Sequence, residues 1–386
     1  MTIVALPTAT GDLEPYAMSG RAAFPRTAPT STSRLAYAAA HVTIDPLRTT
    51  RLDAPVLDWE ATLRFRHHLW GLGFKTAEAM DTSQRGMGLG WEQARELIDR
   101  SIREARTVPG ADLACGVGTD QLAAGDHSLE AIVAAYEAQA EVVEGAGGRM
   151  ILMASRALAA NAEGFDDYAE VYDRLITQAR DRVIIHWLGD MFDSKLAGYW
   201  GADDLDTATE HVLALIERHA AKIEGIKISL LDAGREVDIR SRLPDGVALF
   251  TGDDFNFAEL IAGDDERFSH ALLGIFDPIA PAAAAALQRL DAGDQEGFHA
   301  VLEPTVPLSR CIFEAPTQYY KAGVVFLAWL NGHQDHFIMA GGMEAARGIV
   351  HYAQVFRLAD QAGVLDDPEL AATRMRALLA THGVRP

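Results

Sequence analysis

The sequence predicts an α/β protein: a (β/α)8 TIM barrel with an N-terminal arm and a C-terminal helical extension. Eight short apolar segments with strand character alternate with amphipathic helical segments from residue 34 to residue 281, which is the pattern of parallel βαβ units. That stretch is about as long as the roughly 250 residues of a typical barrel. A doubly wound open sheet is the alternative, but it would usually carry a glycine-rich phosphate turn after its first strand, and this sequence has none there.

The predicted strands are short, and polar or glycine-containing turns follow most of them. They cover residues 35–42, 76–80, 112–116, 150–154, 182–188, 223–231, 246–251 and 271–276. Helices are predicted between the first six strands at 59–70, 91–106, 129–144, 166–179 and 208–221, and one more is expected after the seventh strand. Asp58 and Ser128 precede two of these helices and are expected to cap them.

The two ends of the chain lack the strand–helix alternation. Residues 1–33 are rich in Pro, Thr, Ser and Gly, and we predict an arm or a hairpin with a strand at 2–6. Residues 282–386 show only helical patterns, at 282–292, 295–302, 308–331, 343–362 and 368–382. The chain is therefore divided into an arm (1–33), a catalytic barrel (34–281) and a helical extension (282–386). The apolar faces of the extension predict packing on the barrel or on another subunit, so a homo-oligomer is expected.

The composition excludes some classes of partner. The net charge of -21 argues against nucleic acid and anionic membrane surfaces, because both require a basic footprint. The two cysteines, Cys115 and Cys311, fit neither a metal-binding spacing nor a disulfide framework. The N-terminus shows no basic segment followed by an apolar core, and no apolar run is long enough to span a bilayer. A cytoplasmic protein is therefore expected.

The sixth predicted strand carries an unusual lysine. Because side chains on a strand alternate between its faces, Ile226 and Ile228 share one face, and Lys227 lies with Gly225 and Ser229 on the other. If helices cover the apolar face, the lysine points into the space that the other face lines. A desolvated lysine loses proton affinity and becomes an amine nucleophile, which is what Schiff-base chemistry requires. The alternative is a lysine at a strand end that extends to solvent.

Other candidate site residues follow from the barrel topology, because the site of such a barrel lies at the carboxyl ends of its strands. The polar side chains at those ends are His41, Asp81, Thr82, Ser83, Arg156, His186, Asp253 and Asp254. Each also has a purely structural explanation. The aspartates can be helix N-caps, Arg156 can form a rim ion pair, Thr82 and Ser83 can be turn residues, and the histidines can be packed and hydrogen-bonded.

Four motifs at these strand ends resemble those of one known family. Gly225-Ile226-Lys227 is similar to the Gly-Ile-Lys of the dihydrodipicolinate synthase and N-acetylneuraminate lyase family. Phe250-Thr251-Gly252-Asp253-Asp254 resembles the family's Ser-Gly-Asp-Asp turn after the seventh strand. Ala114-Cys115-Gly116-Val117-Gly118-Thr119 resembles its third-strand Ala-Gly-Val-Gly-Ser, and Asp81-Thr82-Ser83-Gln84-Arg85 falls where it has Gly-Thr-Thr-Gly-Glu. The resemblance runs from about residue 35 to 281 and implies a barrel whose Lys227 forms a Schiff base.

The sequence also departs from this family at two places. The fifth strand of the family ends in Tyr-Asn-x-Pro, whose Tyr relays protons, whereas this chain has His186-Trp187-Leu188-Gly189. The turn at Thr82 and Ser83 lacks the flanking Gly and Glu of the family's carboxylate-binding turn. The known substrates of the family are therefore not transferred, and the resemblance indicates a divergent branch with its own substrate.

Residues and resemblance together predict a class I, metal-free lyase or aldolase, or a dehydratase. Lys227 is expected to capture a ketone as an imine, and His186 to move the proton. Thr82 and Ser83 would hydrogen-bond substrate oxygens, and Arg156 would bind a carboxylate. The remaining predicted substrate-binding residues are His41, Asp81, Asp253 and Asp254. The last two place negative charge where many barrels hold phosphate, so a non-phosphorylated 2-keto acid or keto-sugar derivative is expected, with neither metal nor cofactor.

Two other functions compete with this prediction. A metal-dependent sugar isomerase or epimerase would use His41, Asp81, His186 and Asp253 as ligands, since these residue types suit a divalent ion. A non-catalytic barrel that binds a keto acid would have an inert Lys227. The sequence alone leaves both alternatives open.

Overall fold

The computed structural model describes residues 2–20, 24–264 and 266–384. Within them the strands are β1 (Ile3–Pro7), β2 (Leu13–Ala17), β3 (Ala36–Ala39), β4 (Lys75–Glu78), β5 (Leu113–Val117), β6 (Arg149–Leu152), β7 (Val183–Leu188), β8 (Ile223–Ser229), β9 (Ala248–Thr251) and β10 (His270–Leu273). Strands β3 to β10 pair in parallel in chain order, and β10 closes the barrel by pairing with β3. The predicted (β/α)8 barrel is therefore confirmed, with all eight strands near their predicted positions.

Helices cover the outside of the barrel and form the C-terminal part of the chain. The helices that alternate with the barrel strands are α1 (Trp59–Gly71), α2 (Trp91–Ala105), α3 (Leu129–Gly145), α4 (Arg156–Asn161), α5 (Phe165–Gln178), α6 (Leu205–Arg218), α7 (Ala233–Arg242) and α8 (Phe257–Ala262). The C-terminal helices are α9 (Ala280–Asp291), α10 (Gln295–Leu302), α11 (Val306–Ile312), α12 (Tyr320–Leu330), α13 (Ile349–Gln361) and α14 (Pro368–Thr381). Asp58 and Ser128 accept backbone hydrogen bonds at the starts of α1 and α3, as predicted.

The two faces of β8 separate as the alternation predicts. Ile226 and Ile228 belong to the large core between the strands and the helices. On the other face, the Gly225 position lies against the ring of Phe250, which is part of a second core inside the barrel. A Cβ at residue 225 would lie 2.7 Å from that ring, so glycine allows the interior to close there. Lys227 follows two residues later and therefore also points into the barrel.

The N-terminal segment is a hairpin, but it contacts the extension. Strands β1 and β2 pair in antiparallel register, and β1 lies against α13 and α14. The Tyr16 hydroxyl donates a 2.7 Å hydrogen bond to Asp360, which fixes β2 to α13. The expected arm is thus attached to the helices at the far end of the chain. The domain limits at residues 33 and 281 remain predictions.

The helix predicted over residues 308–331 is wrong as a single element. It is two helices, α11 and α12, separated by a segment from 313 to 319 that contains Pro316. Proline disfavours helical backbone in the residue before it and cannot donate a helical hydrogen bond, so the helix breaks here. The break turns Phe313 and Tyr320 toward the carboxyl end of the barrel, where their rings stack with centroids 4.3 Å apart.

None of the helices in the described ranges has both the length and the apolar character required to cross a bilayer.

Candidate active site

A small cavity of about 10 Å³ lies at the carboxyl ends of the barrel strands. It is lined by Ala39, Met80, Asp81, Thr82, Leu188, Phe192, Lys227, Ser229, Asp254, Gly274 and Tyr320. Six barrel strands or the turns that follow them contribute these residues, and helix α12 contributes Tyr320. A cavity of this size has room for about one water molecule or a carbonyl group.

Lys227 projects from β8 into this cavity and is only 7% exposed. Across residues 2–20, 24–264 and 266–384 no carboxylate forms an ion pair with it. Burial lowers the pKa of Lys227 from its usual value, while the charges of Asp81 and Asp254 act in the opposite direction. Gly252 makes room for this side chain, because a Cβ there would lie 2.7 Å from Lys227 Cε. The structure thus holds a sheltered amine that is easier to deprotonate than an exposed lysine.

Asp254 is one of the two carboxylates, with Asp81, that line the cavity beside this amine. One of its oxygens accepts a 2.9 Å hydrogen bond from the backbone of Ile275. Burial raises the pKa of Asp254 to about 7, although that hydrogen bond and the charge of Lys227 oppose the rise. Both groups line one cavity, so their titrations are linked.

Thr82 reaches the cavity from the turn after β4 and meets Tyr320 from the extension. Their hydroxyl oxygens lie 2.9 Å apart, and Tyr320 is only 4% exposed. Burial raises the pKa of Tyr320 well above its usual value, so the phenol keeps its proton at neutral pH. A Cβ at Gly274 would lie 3.1 Å from both Tyr320 and Phe313, so glycine allows the two rings to reach the barrel. Sequence reasoning missed Tyr320, and Pro316 was the only signal that could have indicated it.

A second buried amine lies beside the cavity without lining it. Lys321 follows Tyr320, and its ammonium donates a 3.1 Å hydrogen bond to the carbonyl of Gln318. Burial lowers the pKa of Lys321 to about 8, with the charge of Asp81 acting against the shift. Because this amine has a hydrogen-bond partner and does not face the cavity, it provides a natural comparison for Lys227.

His186 lies directly across from Lys227 in the register of β7 and β8. It is fully buried, and its Nε2 is 3.2 Å from the Ser229 hydroxyl. Its Nδ1 is buried and has no hydrogen-bond partner in the part of the chain that the structure describes. Burial, and secondarily the charge of Lys227, lowers the pKa of His186 well below its usual value. The ring is therefore neutral.

His186 also lines a larger cleft of about 590 Å³, which opens beside the small cavity. Asp81 and Leu188 line both spaces. The cleft wall combines Arg85, Asp120, Arg156, Asp193 and Lys195 with a series of alanine and leucine side chains from the turns after β5, β6 and β7. This volume lies in the range of small-molecule sites, roughly 300–1,000 Å³.

The two arginines of the cleft are already paired. Arg85 is buried and forms a 2.6 Å ion pair with Asp120. Arg156, with its side chain 45% exposed, pairs with Asp193. The predicted carboxylate partner Arg156 therefore lies at the cleft rim and away from Lys227.

The backbone is strained around the site. Ala79 and Gln84 flank the turn at Asp81–Ser83 with φ angles of 52° and 63°, and Leu231 follows β8 with a φ of 54°. Side chains disfavour this left-handed region, and such residues persist where the surrounding structure holds them. Three of them next to the cavity indicate that the turns are fixed in place at a stability cost.

Three predicted residues lie outside both spaces and have structural partners. His41 is buried, and its Nδ1 lies 2.8 Å from Asp277. The Ser83 hydroxyl donates a 2.7 Å hydrogen bond to the carbonyl of Met80 within its own turn. Asp253 accepts hydrogen bonds from the backbone of the turn that leads into α8. Their roles in substrate binding remain predictions that these contacts do not favour.

The ligand set of the metal-dependent alternative does not assemble. His41, Asp81, His186 and Asp253 do not converge within the described residues; the single group of potential ligand atoms found there is Cys311, Glu314 and His351 in the extension. The geometry therefore gives that alternative no centre at the strand ends.

Solved structures of dihydrodipicolinate synthases share this fold. The prophage protein YagE from E. coli K12, a member of the dihydrodipicolinic acid synthase family solved in complex with pyruvate, matches with a TM-score of 0.66 and 12% identity, over 86% of this chain and 100% of YagE. Dihydrodipicolinate synthase from Bacteroides thetaiotaomicron matches with a TM-score of 0.63 and 15% identity, over 84% of this chain and 98% of that one. A putative synthetase from Pseudomonas aeruginosa matches with a TM-score of 0.62 and 14% identity, over 85% and 99%.

At sequence identities this low, the structural matches establish the fold alone, and they confirm the resemblance to the family at the level of the fold. No curated protein sequence matches the chain. One family model, described as "Protein of unknown function (DUF993)", matches residues 4–384. The chain therefore belongs to the DUF993 family, a divergent branch that has the fold of the dihydrodipicolinate synthases.

Proposed function

We propose that this protein is a class I lyase or aldolase, or a dehydratase, that forms a Schiff base between Lys227 and a non-phosphorylated 2-keto acid or keto-sugar derivative. The observation that carries the proposal is the buried amine of Lys227, which forms no ion pair within the described residues and lies in a cavity at the strand ends. The fold that the chain shares with dihydrodipicolinate synthases supports it. YagE was solved with pyruvate, so a keto acid is the first substrate class to test.

Deprotonation of the lysine is the first requirement of this chemistry. The Lys227 ammonium transfers a proton to the Asp254 carboxylate, which leaves a neutral amine beside a neutral acid. The lone pair of the amine then attacks the keto carbon, and water leaves as the imine forms. The imine withdraws electrons from the adjacent carbon, so a bond to that carbon can break or form there.

The sizes of the two spaces divide the substrate into two parts. The cavity around Lys227 holds little more than a carbonyl group, whereas the neighbouring cleft of about 590 Å³ can hold the rest of a small molecule. Asp81, on the wall that both spaces share, would contact the substrate near the reacting carbon. Asp81 and Asp254 place acidic groups at the cavity, and Arg85 and Arg156 are already ion-paired, so these residues disfavour a phosphate close to the reacting carbon.

Reductive trapping tests the proposal directly. The protein is incubated with sodium borohydride and a panel of keto compounds: pyruvate, 2-ketobutyrate, 2-ketoglutarate, phenylpyruvate and a keto-sugar acid. Intact mass and peptide mapping then locate any adduct. We expect one adduct, on Lys227, that is absent in Lys227→Met and retained in Lys321→Met. The second variant removes the other buried amine and thus controls for a non-specific reaction of sheltered lysines.

The outcomes separate the competing functions. An adduct on Lys227 that is accompanied by turnover supports the lyase. An adduct or tight binding without turnover of any keto compound in the panel supports a keto-acid-binding barrel. Turnover that survives Lys227→Met contradicts Schiff-base chemistry. A homo-oligomer and a cytoplasmic location remain predictions, and light scattering of the purified protein tests the first of them.

A further inference from the structure

The C-terminal extension contributes a polar group to the Lys227 cavity. Tyr320 is the first residue of α12, and it lines the cavity from outside the barrel. Its ring is held by stacking on Phe313 and by an edge contact with Phe192, with centroids 6.1 Å apart. All eleven residues of α12 are buried, so the hydroxyl is presented by a rigid element. Its one hydrogen-bond partner within the described chain is Thr82.

We propose that Tyr320 is a catalytic acid and base of this site and passes protons together with Thr82 to the oxygen of the carbonyl that Lys227 captures. The proposal rests on the proposed function. It follows from the geometry, because Tyr320, Thr82 and Lys227 all line a space that holds about one carbonyl group. A carbonyl carbon bonded to the Lys227 nitrogen therefore places its oxygen within reach of the two hydroxyls.

The proton steps balance without any further reactant. As the N–C bond forms, the Tyr320 hydroxyl gives its proton to the carbonyl oxygen. The positively charged nitrogen returns a proton to Tyr320 through Thr82, so a carbinolamine forms and the hydroxyl pair is unchanged. In the second step the remaining N–H proton travels the same way to the same oxygen. The C–O bond then breaks, water leaves, and the nitrogen lone pair completes the imine.

His186 is less suited to this role than the sequence predicts. Its Nε2 is occupied by the Ser229 hydroxyl, and the ring lines the large cleft and not the small cavity. A buried, neutral imidazole with an unpartnered Nδ1 is instead suited to hydrogen-bond the part of the substrate that lies in the cleft. The structure thus separates carbonyl chemistry, at Tyr320, from substrate contact, at His186.

Tyr320→Phe tests the proposal, because it removes only the hydroxyl and keeps the stacked ring. The probe is glyoxylate, a small 2-oxo acid, with cyanoborohydride in excess so that imine formation limits the rate of adduct formation at Lys227. We expect the limiting rate to fall about 100-fold or more, the usual range for loss of a positioned acid–base group. The glyoxylate concentration at half-maximal rate and the melting temperature should stay close to those of the wild type. A merely structural residue would not give this split.

Tyr319→Phe is the matched control, since Tyr319 is the neighbouring tyrosine and does not line the cavity. It should trap glyoxylate at the wild-type rate. The double variant Tyr320→Phe with Thr82→Val should be no slower than the slower single variant, because the two hydroxyls act as one unit. A reduction in trapping rate equal to the product of the two single-variant reductions would contradict a shared proton relay.

The results distinguish this proposal from the proposed function. Wild-type protein that forms no adduct at Lys227 would overturn the Schiff base, and the role of Tyr320 with it. Equal trapping rates in the wild type and Tyr320→Phe would overturn the role of Tyr320 alone and leave Lys227 as the nucleophile.

Discussion

Two groups of buried polar side chains lie at the same end of the barrel, and they differ in how their charges are satisfied. The closed network consists of His41, Arg66, Glu78 and Asp277. In it, Arg66 donates two hydrogen bonds, of 2.9 and 2.7 Å, to the Glu78 carboxylate, and a third to the carbonyl of His41. Asp277 accepts from both the backbone and the ring of His41. Within the described residues these side chains contact one another, and none of the four lines the small cavity or the cleft.

The open cluster consists of Asp81, Thr82, Lys227, Asp254 and Tyr320. Its members line a shared space, and Lys227 forms no ion pair with the carboxylates that face it in the described residues. Burial moves the pKa of Lys227 down and that of Asp254 up, to about 7, which brings the two groups toward each other on the pH scale. Burial near the carboxyl end of the barrel is common to both groups, so the open cluster is distinguished by an amine that has no ion-pair partner in the described residues.

Breaking the closed network should have the largest effect on stability. Arg66→Met leaves the Glu78 carboxylate buried without its cation, which typically costs about 3–5 kcal/mol. Urea denaturation measures the change in the free energy of unfolding. Arg64→Met, on the same helix, is the control. Arg64 is exposed, and it forms an ion pair with Glu60 one turn away and a long hydrogen bond, of 3.5 Å, to the carbonyl of His333. Its replacement should change stability by less than about 0.5 kcal/mol. A loss below 1 kcal/mol for Arg66→Met would show that the network does not support the fold.

A substitution that fills the space beside Lys227 should have the second-largest effect on stability. In Gly252→Ala, the new Cβ would meet the Ser229 hydroxyl first, and it would lie 2.7 Å from Lys227 Cε and 2.8 Å from the Ile228 carbonyl. Overpacking of this kind costs about 3 kcal/mol where backbone must move, and the displaced amine should trap keto acids more slowly. Gly118→Ala is the control for stability, because the nearest atom to a Cβ there is 3.8 Å away. Equal stabilities of the two variants would mean that the residues around Gly252 can shift to accommodate a methyl group at little cost in free energy.

Glu236 is a buried acid that forms no ion pair with any described residue, and it extends the comparison to an unpaired carboxylate. Glu236 on α7 accepts hydrogen bonds from Thr251 and Ser269, and burial raises its pKa from 4.5 to about 8. Between these values the folded state binds more protons than the unfolded chain, so the contribution of Glu236 to stability falls as pH rises. From pH 6 to pH 8 the fall should be about 2 kcal/mol.

Denaturation of Glu236→Gln at both pH values measures this effect. The variant should lose less stability than the wild type over this range, by that same amount, since it has no titrating group at residue 236. Glu259→Gln, an exposed position on α8, should follow the wild type. A wild type and a Glu236→Gln variant with identical pH dependence would mean that Glu236 does not titrate in this range.

The sequence predicts the barrel because its determinants are local. Alternating strands and helices, caps such as Asp58 and the two-faced β8 are each visible within a few residues. The orientation of Lys227 follows from the same alternation. Partners that are distant in the chain cannot be predicted in this way. His41 lies 236 residues from Asp277, and its position at a strand end gives no indication that this partner satisfies it.

Tyr320 shows a second limit. The pattern over residues 308–331 is apolar enough to suggest one continuous helix, although Pro316 interrupts it. Only the break brings Tyr320 onto the cavity, and only the packing of the extension determines which barrel turn it meets. The lysine proposed as the nucleophile belongs to a local motif, whereas the hydroxyl proposed to act with it comes from a different part of the chain.

Lys227→Met should have the smallest effect on stability, and it tests the comparison most directly. Methionine has a similar length, and it removes a buried amine that has no ion-pair partner in the part of the chain that the structure describes, so stability at pH 7 should be unchanged or about 1 kcal/mol higher. The folded-state pKa of Lys227 lies below its unfolded value, so the unfolded chain binds more protons between the two values and wild-type stability rises with pH there.

The advantage of Lys227→Met should therefore shrink as pH rises toward 10, and parallel urea denaturation at pH 7 and pH 9.5 measures it. Lys75→Met is the matched control. Lys75 forms a 2.7 Å ion pair with Asp112, the residue before β5, so its replacement should lower the stability of the protein. A loss of more than 1 kcal/mol in Lys227→Met at pH 7 would place Lys227 with Arg66 as a structural cation. A gain in stability with complete loss of adduct formation would instead show an amine that is kept for reaction at a cost to the fold.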